Sequence, residues 1–129
     1  MKKFLFTLMA IVAFAAASNA QARAKFNKEA HDFGKLSEGP IATYSFEVTN
    51  TGTAPLIINN AQPSCGCTTP EWPKDPIMPG AKGLIKVGYN TAGRPGNFTK
   101  TITVTSNAEN GTVILTIKGS VNAKGSGSR

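Results

Sequence analysis

Between Ala42 and Asn50 the chain reads ATYSFEVTN, and apolar and polar residues alternate one by one. Successive side chains on an extended backbone leave on opposite faces, so Tyr44, Phe46 and Val48 share one face and Ser45, Glu47 and Thr49 the other. The same period of two returns three times. Ile85, Val87 and Tyr89 align within Lys82 to Asn90, and Ile102 and Val104 oppose Thr101, Thr103 and Thr105 within Phe98 to Ser106. Val113, Leu115, Ile117 and Val121 fall together within Thr112 to Val121. Leu56-Ile57-Ile58 reads as a short strand running toward Ala61, and Ala24 to Asn27 with His31 to Leu36 as one broken first strand. A strand that is apolar on one face must bury that face against a second layer. About seven such strands over roughly 100 residues predict an all-β, immunoglobulin-like antiparallel β-sandwich. No stretch carries a helical period. A small closed barrel is the alternative architecture.

The turns support the same arrangement. Asn50-Thr51-Gly52 and Pro79-Gly80 end or begin strands, and Asn110-Gly111 offers the two positive-φ positions of a tight hairpin. Pro70, Pro73, Pro76 and Pro79 make the segment from Pro70 to Gly80 an irregular crossing, which suits a Greek-key connection better than a barrel. Gly93 and Gly96 flank Arg94-Pro95 as a hairpin loop rather than a phosphate cradle.

The first residues do not belong to this pattern. Met1-Lys2-Lys3 is a positive start, Phe4 to Ala17 is an uncharged apolar run, and Ser18-Asn19-Ala20 places small residues where a signal peptidase reads. Residues 1–20 are therefore expected to be a signal peptide, cut before Gln21, with a cut after Ala22 as the competitor. The run is shorter than the roughly 20 residues a membrane span needs. The expected mature chain, Gln21 to Arg129, is one domain over 21–122 followed by a tail over 123–129 (AKGSGSR) that offers no apolar run to bury and is expected to be disordered. Nothing later in it is long and apolar enough to cross a membrane. The product is expected to be exported, either periplasmic or secreted. Removing Lys2 and Lys3 lowers the net charge from +7 to +5. The remaining basic residues are scattered and not interleaved with aromatics, so nucleic acid is not an expected partner. A protein or another cell-envelope component is.

One feature is chemically pointed. Cys65 and Cys67 are the two cysteines of the chain, within Ser64-Cys65-Gly66-Cys67-Thr68. In an extended segment residues two apart face the same side. Export would place the thiols where they are usually oxidised. A bridge between them is one reading: a turn at Gly66 would bring the Cα atoms within reach, and so small a ring would add little entropic stability and be easily reduced. Two free thiols, one packed as a small apolar residue, are the second reading. A copper or zinc site is the third; it needs more ligands than the two thiolates, and His31 and Met78 are the candidates. Pairing between two chains is the fourth. No catalytic residue is expected, because His31 is the sole histidine and no Ser-His-Asp set, paired carboxylates or phosphate loop appears. No cofactor is expected either. Asn97 and Asn110 lie in glycosylation sequons, relevant only in a cell that modifies asparagine.

Taken in order, these motifs resemble a bacterial family catalogued as the domain of unknown function numbered 1573. The string His31-Asp32-Phe33-Gly34-Lys35-Leu36-Ser37-Glu38-Gly39 is similar to its D-F-G-x-[IL]-x-E-G opening, and Phe46 to Gly52 to its F-x-[VF]-x-N-x-G strand and turn, which singles out Asn50 and Gly52. Pro55-Leu56-Ile57-Ile58, the Cys65-Gly66-Cys67 block, Pro76-Ile77-Met78-Pro79-Gly80 and Gly96 to Lys100 match later blocks. The resemblance covers about residues 26 to 121. It implies an exported protein of Bacteroidetes-type bacteria with an Ig-like sandwich related to Hydin-type and major-sperm-protein-like domains, which mostly serve as interaction or scaffolding modules. It implies no established activity. The expected function is a non-enzymatic binding or structural module of the cell envelope; the alternative is thiol-redox or soft-metal handling through the cysteine pair.

Overall fold

Eight strands account for most of residues 20–124, the part of the chain that the computed structural model describes. They are β1 (Ala24–Phe26), β2 (Ala30–Ser37), β3 (Ile41–Asn50), β4 (Ile58–Pro63), β5 (Thr68–Glu71), β6 (Lys82–Asn90), β7 (Gly96–Ser106) and β8 (Thr112–Asn122). One sheet has the order β1-β3-β6-β5 and the other β2-β8-β7-β4. The fold is the expected all-β sandwich. Of the expected signal segment only Ala20 is among the described residues, and 125–129 of the expected tail also lie outside them.

Alternation locates the core. Phe46 of β3 faces Ile85 of β6 across their ladder, with Val48 and Val87 on the same inner face, and Ile102, Leu115 and Ile117 oppose them from the other sheet; all are buried. Each such side chain contributes about 1.5–3 kcal/mol through burial. Aromatic rings make a continuous series through this interior. Phe46 meets Tyr44, Tyr44 stacks on His31 at 3.7 Å, His31 meets Phe33, Phe33 approaches Phe98, and Phe98 stacks on Tyr89 at 3.9 Å.

Four details differ from the sequence reading. The expected broken first strand is two strands in different sheets: the chain leaves β1, crosses at Asn27–Glu29, and continues in the same direction beside β8. β2 therefore pairs parallel with β8, so the sandwich is not wholly antiparallel. The count is eight rather than about seven because the first strand is divided in two and β5 runs unannounced into the proline-rich crossing. The strand expected at Leu56 starts at Ile58 instead, and Leu56 is held outside the ladder by mutual backbone hydrogen bonds with Ile77, 2.8 Å each way. Finally, the Asn110-Gly111 turn has a positive φ at Gly111 alone. The Asn110 side chain serves another purpose: its Oδ1 accepts from Ala24 N (3.2 Å) and its Nδ2 donates to Ala24 O (2.8 Å), pinning the outer edge of β1. Pro79-Gly80 forms the turn expected of it, with Gly80 at φ 82° and Ala81 N donating to Met78 O at 2.9 Å.

The corner around Asn50 is the most densely bonded part of the interior. Asn50 is fully buried, and all four of its side-chain bonding positions are used. Its Oδ1 accepts from Gly52 N (2.9 Å) and Arg23 N (3.3 Å); its Nδ2 donates to Ala54 O (2.7 Å) and Ile77 O (2.8 Å). One side chain thus ties together the approach to β1, the turn after β3 and the proline-rich crossing. Gly52 packs directly on the backbone of Gln21–Arg23, leaving no room for a Cβ.

Candidate functional site

At one end of the sandwich the chain passes between the sheets three times, and two of these passages frame a groove; the third, over residues 38–40 between β2 and β3, braces one of them. Ser64–Cys67 carries it from β4 to β5, and Thr91–Pro95 carries it from β6 to β7. The second passage is the segment read from sequence as a hairpin loop; it joins strands of different sheets and is not a hairpin. The two crossings lie side by side and frame an open groove of about 450 Å³ lined by Cys65, Gly66, Cys67, Tyr89, Arg94, Pro95, Asn97, Phe98, Thr99 and Lys100.

The first crossing is a turn, not the extended segment that the i, i+2 argument assumed. Cys65 and Cys67 are joined by a disulfide, with their Cα atoms 5.3 Å apart. Gly66 between them does not have a positive φ, and a Cβ built on it would meet nothing within 4 Å. The bridge is unequally exposed: Cys65 is half-buried and Cys67 is 5% exposed. Cys67 N donates to Cys65 Sγ (3.1 Å), and the buried Thr68 hydroxyl lies 3.6 Å from Cys67 Sγ and 3.9 Å from Cys65 Sγ. The backbone on either side is held without the bridge. Ser64 N donates to Thr101 O (2.8 Å), Thr101 N donates to Ser64 Oγ (3.1 Å), and Asn90 N donates to Cys67 O (2.9 Å).

The other wall is equally fixed. The buried Thr91 hydroxyl donates to Pro40 O (2.7 Å) and accepts from Gly39 N (2.8 Å). Glu38 accepts from Gly93 N (2.7 Å) and Lys124 N (2.8 Å), so Lys124, expected in the tail, is tied to the domain. These two bonds, Lys124 first, lower the Glu38 pKa from its ordinary value of 4.5. A lowered carboxylate pKa stabilises the fold fully above the unfolded value and progressively less as pH falls through the folded one. Glu38→Gln is expected to lower Tm at pH 7, and the difference from wild type should begin to shrink near pH 4.5 and vanish once the pH is below the lowered folded value. A constant difference across that range in thermal melts would show that the carboxylate plays no such part.

The groove floor is apolar and its rim is cationic. Tyr89 and Phe98 come from opposite sheets and stack within 12° of parallel. Phe98 has space for its ring because its ladder partner on β8 is Gly119, where a Cβ would fall 2.9 Å from the ring. Arg94 and Lys100 are charged, and no lining residue is acidic. Sequence reasoning missed Tyr89, Arg94, Phe98 and Lys100 as a set. Alternation does turn both aromatics inward, but their meeting depends on the sheet-to-sheet passage.

The other residues singled out from sequence lie elsewhere. His31 sits on β2, at the sheet edge opposite β4, stacked on Tyr44; burial, then Lys28, lowers its pKa, with Asp32 opposing. Met78 is exposed beside the start of β6, whereas Cys67 adjoins the end of that nine-residue strand, about 26 Å away at roughly 3.3 Å per residue. The structure does not bring His31 and Met78 to the cysteine pair, and no three His, Cys, Asp or Glu residues cluster as a metal site among the described residues. Asp32 Oδ1 accepts from Gly34 N (2.8 Å) where β2 bulges, and Phe33 reaches the core from that bulge. Pro55 O accepts from Asn107 Nδ2 (3.0 Å). Pro79 and Gly80 form their turn at the far end.

A family model described as "Protein of unknown function (DUF1573)" matches residues 24–121. No curated protein matches the chain. Among solved structures, a protein of unknown function from Porphyromonas gingivalis W83 superposes with a TM-score of 0.71 at 19% identity, covering 83% of this chain and 50% of that one. The ASH/PapD-like domain 7 of human CEP192 gives 0.63 at 11% identity, covering 83% and 90%. The YadV chaperone gives 0.52 at 15% identity, covering 79% and 52%. At these identities the likeness is one of fold. The chain spans half the length of the Porphyromonas structure.

Proposed function

Since this chain belongs to the family described as protein of unknown function (DUF1573), we propose from its own geometry that it is a non-enzymatic binding module of the bacterial cell envelope. The partner is a protein or another envelope component, and the contact is the groove between the two sheet crossings. One observation carries this reading: a preorganised groove with an aromatic floor, a cationic rim and no acid or imidazole in its lining. Such a lining binds and orients but offers no positioned base.

Export, to the periplasm or beyond, is part of the proposal. It rests on the charged start, the apolar run and the small residues before Gln21. The fold favours cleavage before Gln21 over cleavage after Ala22. Gln21 O accepts from Thr53 N and Ala22 O from Glu109 N, both at 2.8 Å, and Ala22 is 2% exposed. Intact mass of the mature protein distinguishes the two cuts.

The binding test is site-specific. A photo-crosslinking residue at Thr99, in the groove, is expected to give a discrete adduct in the native cell. The same residue at Leu84, exposed on the outer face of the other sheet, is expected to give none. Equal adducts from both positions would remove the groove from consideration, and substrate turnover that Cys65→Ser abolishes would overturn the non-enzymatic reading.

The unequal exposure of the bridge favours a second reading, thiol–disulfide exchange at the same place. The soft-metal alternative has less support, because both sulfurs are already bonded to each other and the other candidate ligands are remote.

A further inference from the structure

We propose that the Cys65–Cys67 bridge exchanges with anionic thiols and that Cys65 is the sulfur through which every exchange passes. This rests on the thiol-exchange reading and assigns its polarity and substrate class.

The bridge is poorly explained as a staple. It encloses one residue, so the loop it closes is far shorter than the 15-residue loop for which closure gives about 3 kcal/mol. The crossing is held by Ser64, Thr101, Asn90 and the β5 ladder independently of it. None of these bonds uses either sulfur, so opening the bridge does not of itself break them. A bridge with little to hold, placed on the wall of a groove, is suited to opening and closing.

Geometry sets the order of events. Both cysteines line the groove, but Cys65 is half-buried and Cys67 only 5% exposed, so an incoming thiolate R–S⁻ meets Cys65 Sγ first. The R–S–Cys65 bond forms as the Cys65–Cys67 bond breaks, and the electron pair leaves on Cys67 as a thiolate beside the Thr68 hydroxyl. A second R–S⁻ then attacks the R sulfur. RS–SR forms, and Cys65 departs as a thiolate that accepts the hydrogen bond from Cys67 N. Two electrons have moved from two thiols to the bridge, and water supplies the two protons. In reverse, the Cys65 thiolate attacks a disulfide and Cys67 resolves the mixed species. Both directions run through a mixed disulfide on Cys65.

The rim selects the reactant. Arg94 and Lys100 face the groove with no carboxylate in its lining, so they favour thiolates over thiols and attract thiols that carry further negative charge. Gly66 keeps the approach open: it has neither a positive φ nor a neighbour within 4 Å of its missing Cβ.

The test uses the full mature protein and two probes, glutathione (anionic) and 2-mercaptoethanol (neutral). Partial reduction, acid quench, alkylation and mass mapping are expected to place the glutathione adduct on Cys65. In Cys67→Ser, Cys65 is expected to react with oxidised glutathione about tenfold or more faster than Cys67 does in Cys65→Ser. The glutathione-to-mercaptoethanol rate ratio should fall about 3- to 10-fold in Arg94→Ala/Lys100→Ala and also in high salt. Adducts shared equally between the sulfurs, or an unchanged ratio, would overturn this assignment while leaving exchange itself standing. A wild-type bridge that resists both thiols while the protein stays folded would overturn the exchange reading as well.

Discussion

Asn50→Ala is expected to cost about 3–5 kcal/mol of folding stability, from four hydrogen bonds of a fully buried side chain, one at a buried partner and three at partly buried ones, lost at about 1 kcal/mol each. Those partners are the amides of Arg23 and Gly52 and the carbonyls of Ala54 and Ile77. A domain of this size has a total stability of about 5–15 kcal/mol, so the variant should melt roughly 15–30 °C below wild type. Asn50→Asp separates the donor half of the network from the acceptor half. It keeps an oxygen for the two amides but turns a second oxygen toward the two carbonyls. It is expected to be at least as unstable at pH 7, and to recover part of the loss at low pH, where the acid is protonated and one donor returns. Urea unfolding at two pH values measures both effects. A loss under about 1 kcal/mol for Asn50→Ala would mean that water replaces the side chain without penalty.

The second large effect is expected at Gly52. A Cβ there would sit 2.7 Å from Arg23 N, 2.8 Å from the Ala22 carbonyl carbon and closer still to Gln21 O. All three are backbone atoms and cannot rotate aside. Gly52→Ala must therefore push the 21–23 segment away from the turn, breaking the bonds from Thr51 N to Arg23 O and from Thr53 N to Gln21 O. The expected loss is about 3 kcal/mol or more. Gly66→Ala is the internal control, being the same chemical change in open space, and should fall within about 0.5 kcal/mol of wild type. Denaturation midpoints of the two variants side by side decide it: equal losses would show that the crowding at Gly52 relaxes cheaply.

The comparison of these glycines shows what a sequence can and cannot disclose. Both stand in motifs that sequence alone picked out, yet one is required by a backbone contact thirty residues upstream and the other by no contact the structure shows. The long strands were legible because burial of one face repeats often enough to be seen; β6 spans Lys82–Asn90 as its alternation predicts. β5 was not, because its four residues include Pro70 and only Thr68 is deeply buried. β4 was displaced in the reading because the apolar triplet at Leu56 draws attention, while the ladder itself buries only Ile58 and Ala61. Asn110 carries a strong turn signature and is used instead for its side-chain amide. At the groove, the cysteine pair was visible and its surroundings were not. Arg94, Lys100, Tyr89 and Phe98 acquire meaning only when two passages between sheets are placed next to each other.

The clamp on β1 has a consequence for how the chain is made. Ala24 receives its edge partner from Asn110, and Arg23 its ion pair from Glu109, each 86 positions later. A ribosome delivers the early residues long before the late ones: β3, which pairs one side of β1, follows by about 25 residues, and the clamp on the other side by 86. Contacts of such span are slow to form. The inner side of β1 can close early on β3, whereas its outer side is completed only when residues 109 and 110 have been made, so this margin of the sheet is among the last parts to be finished.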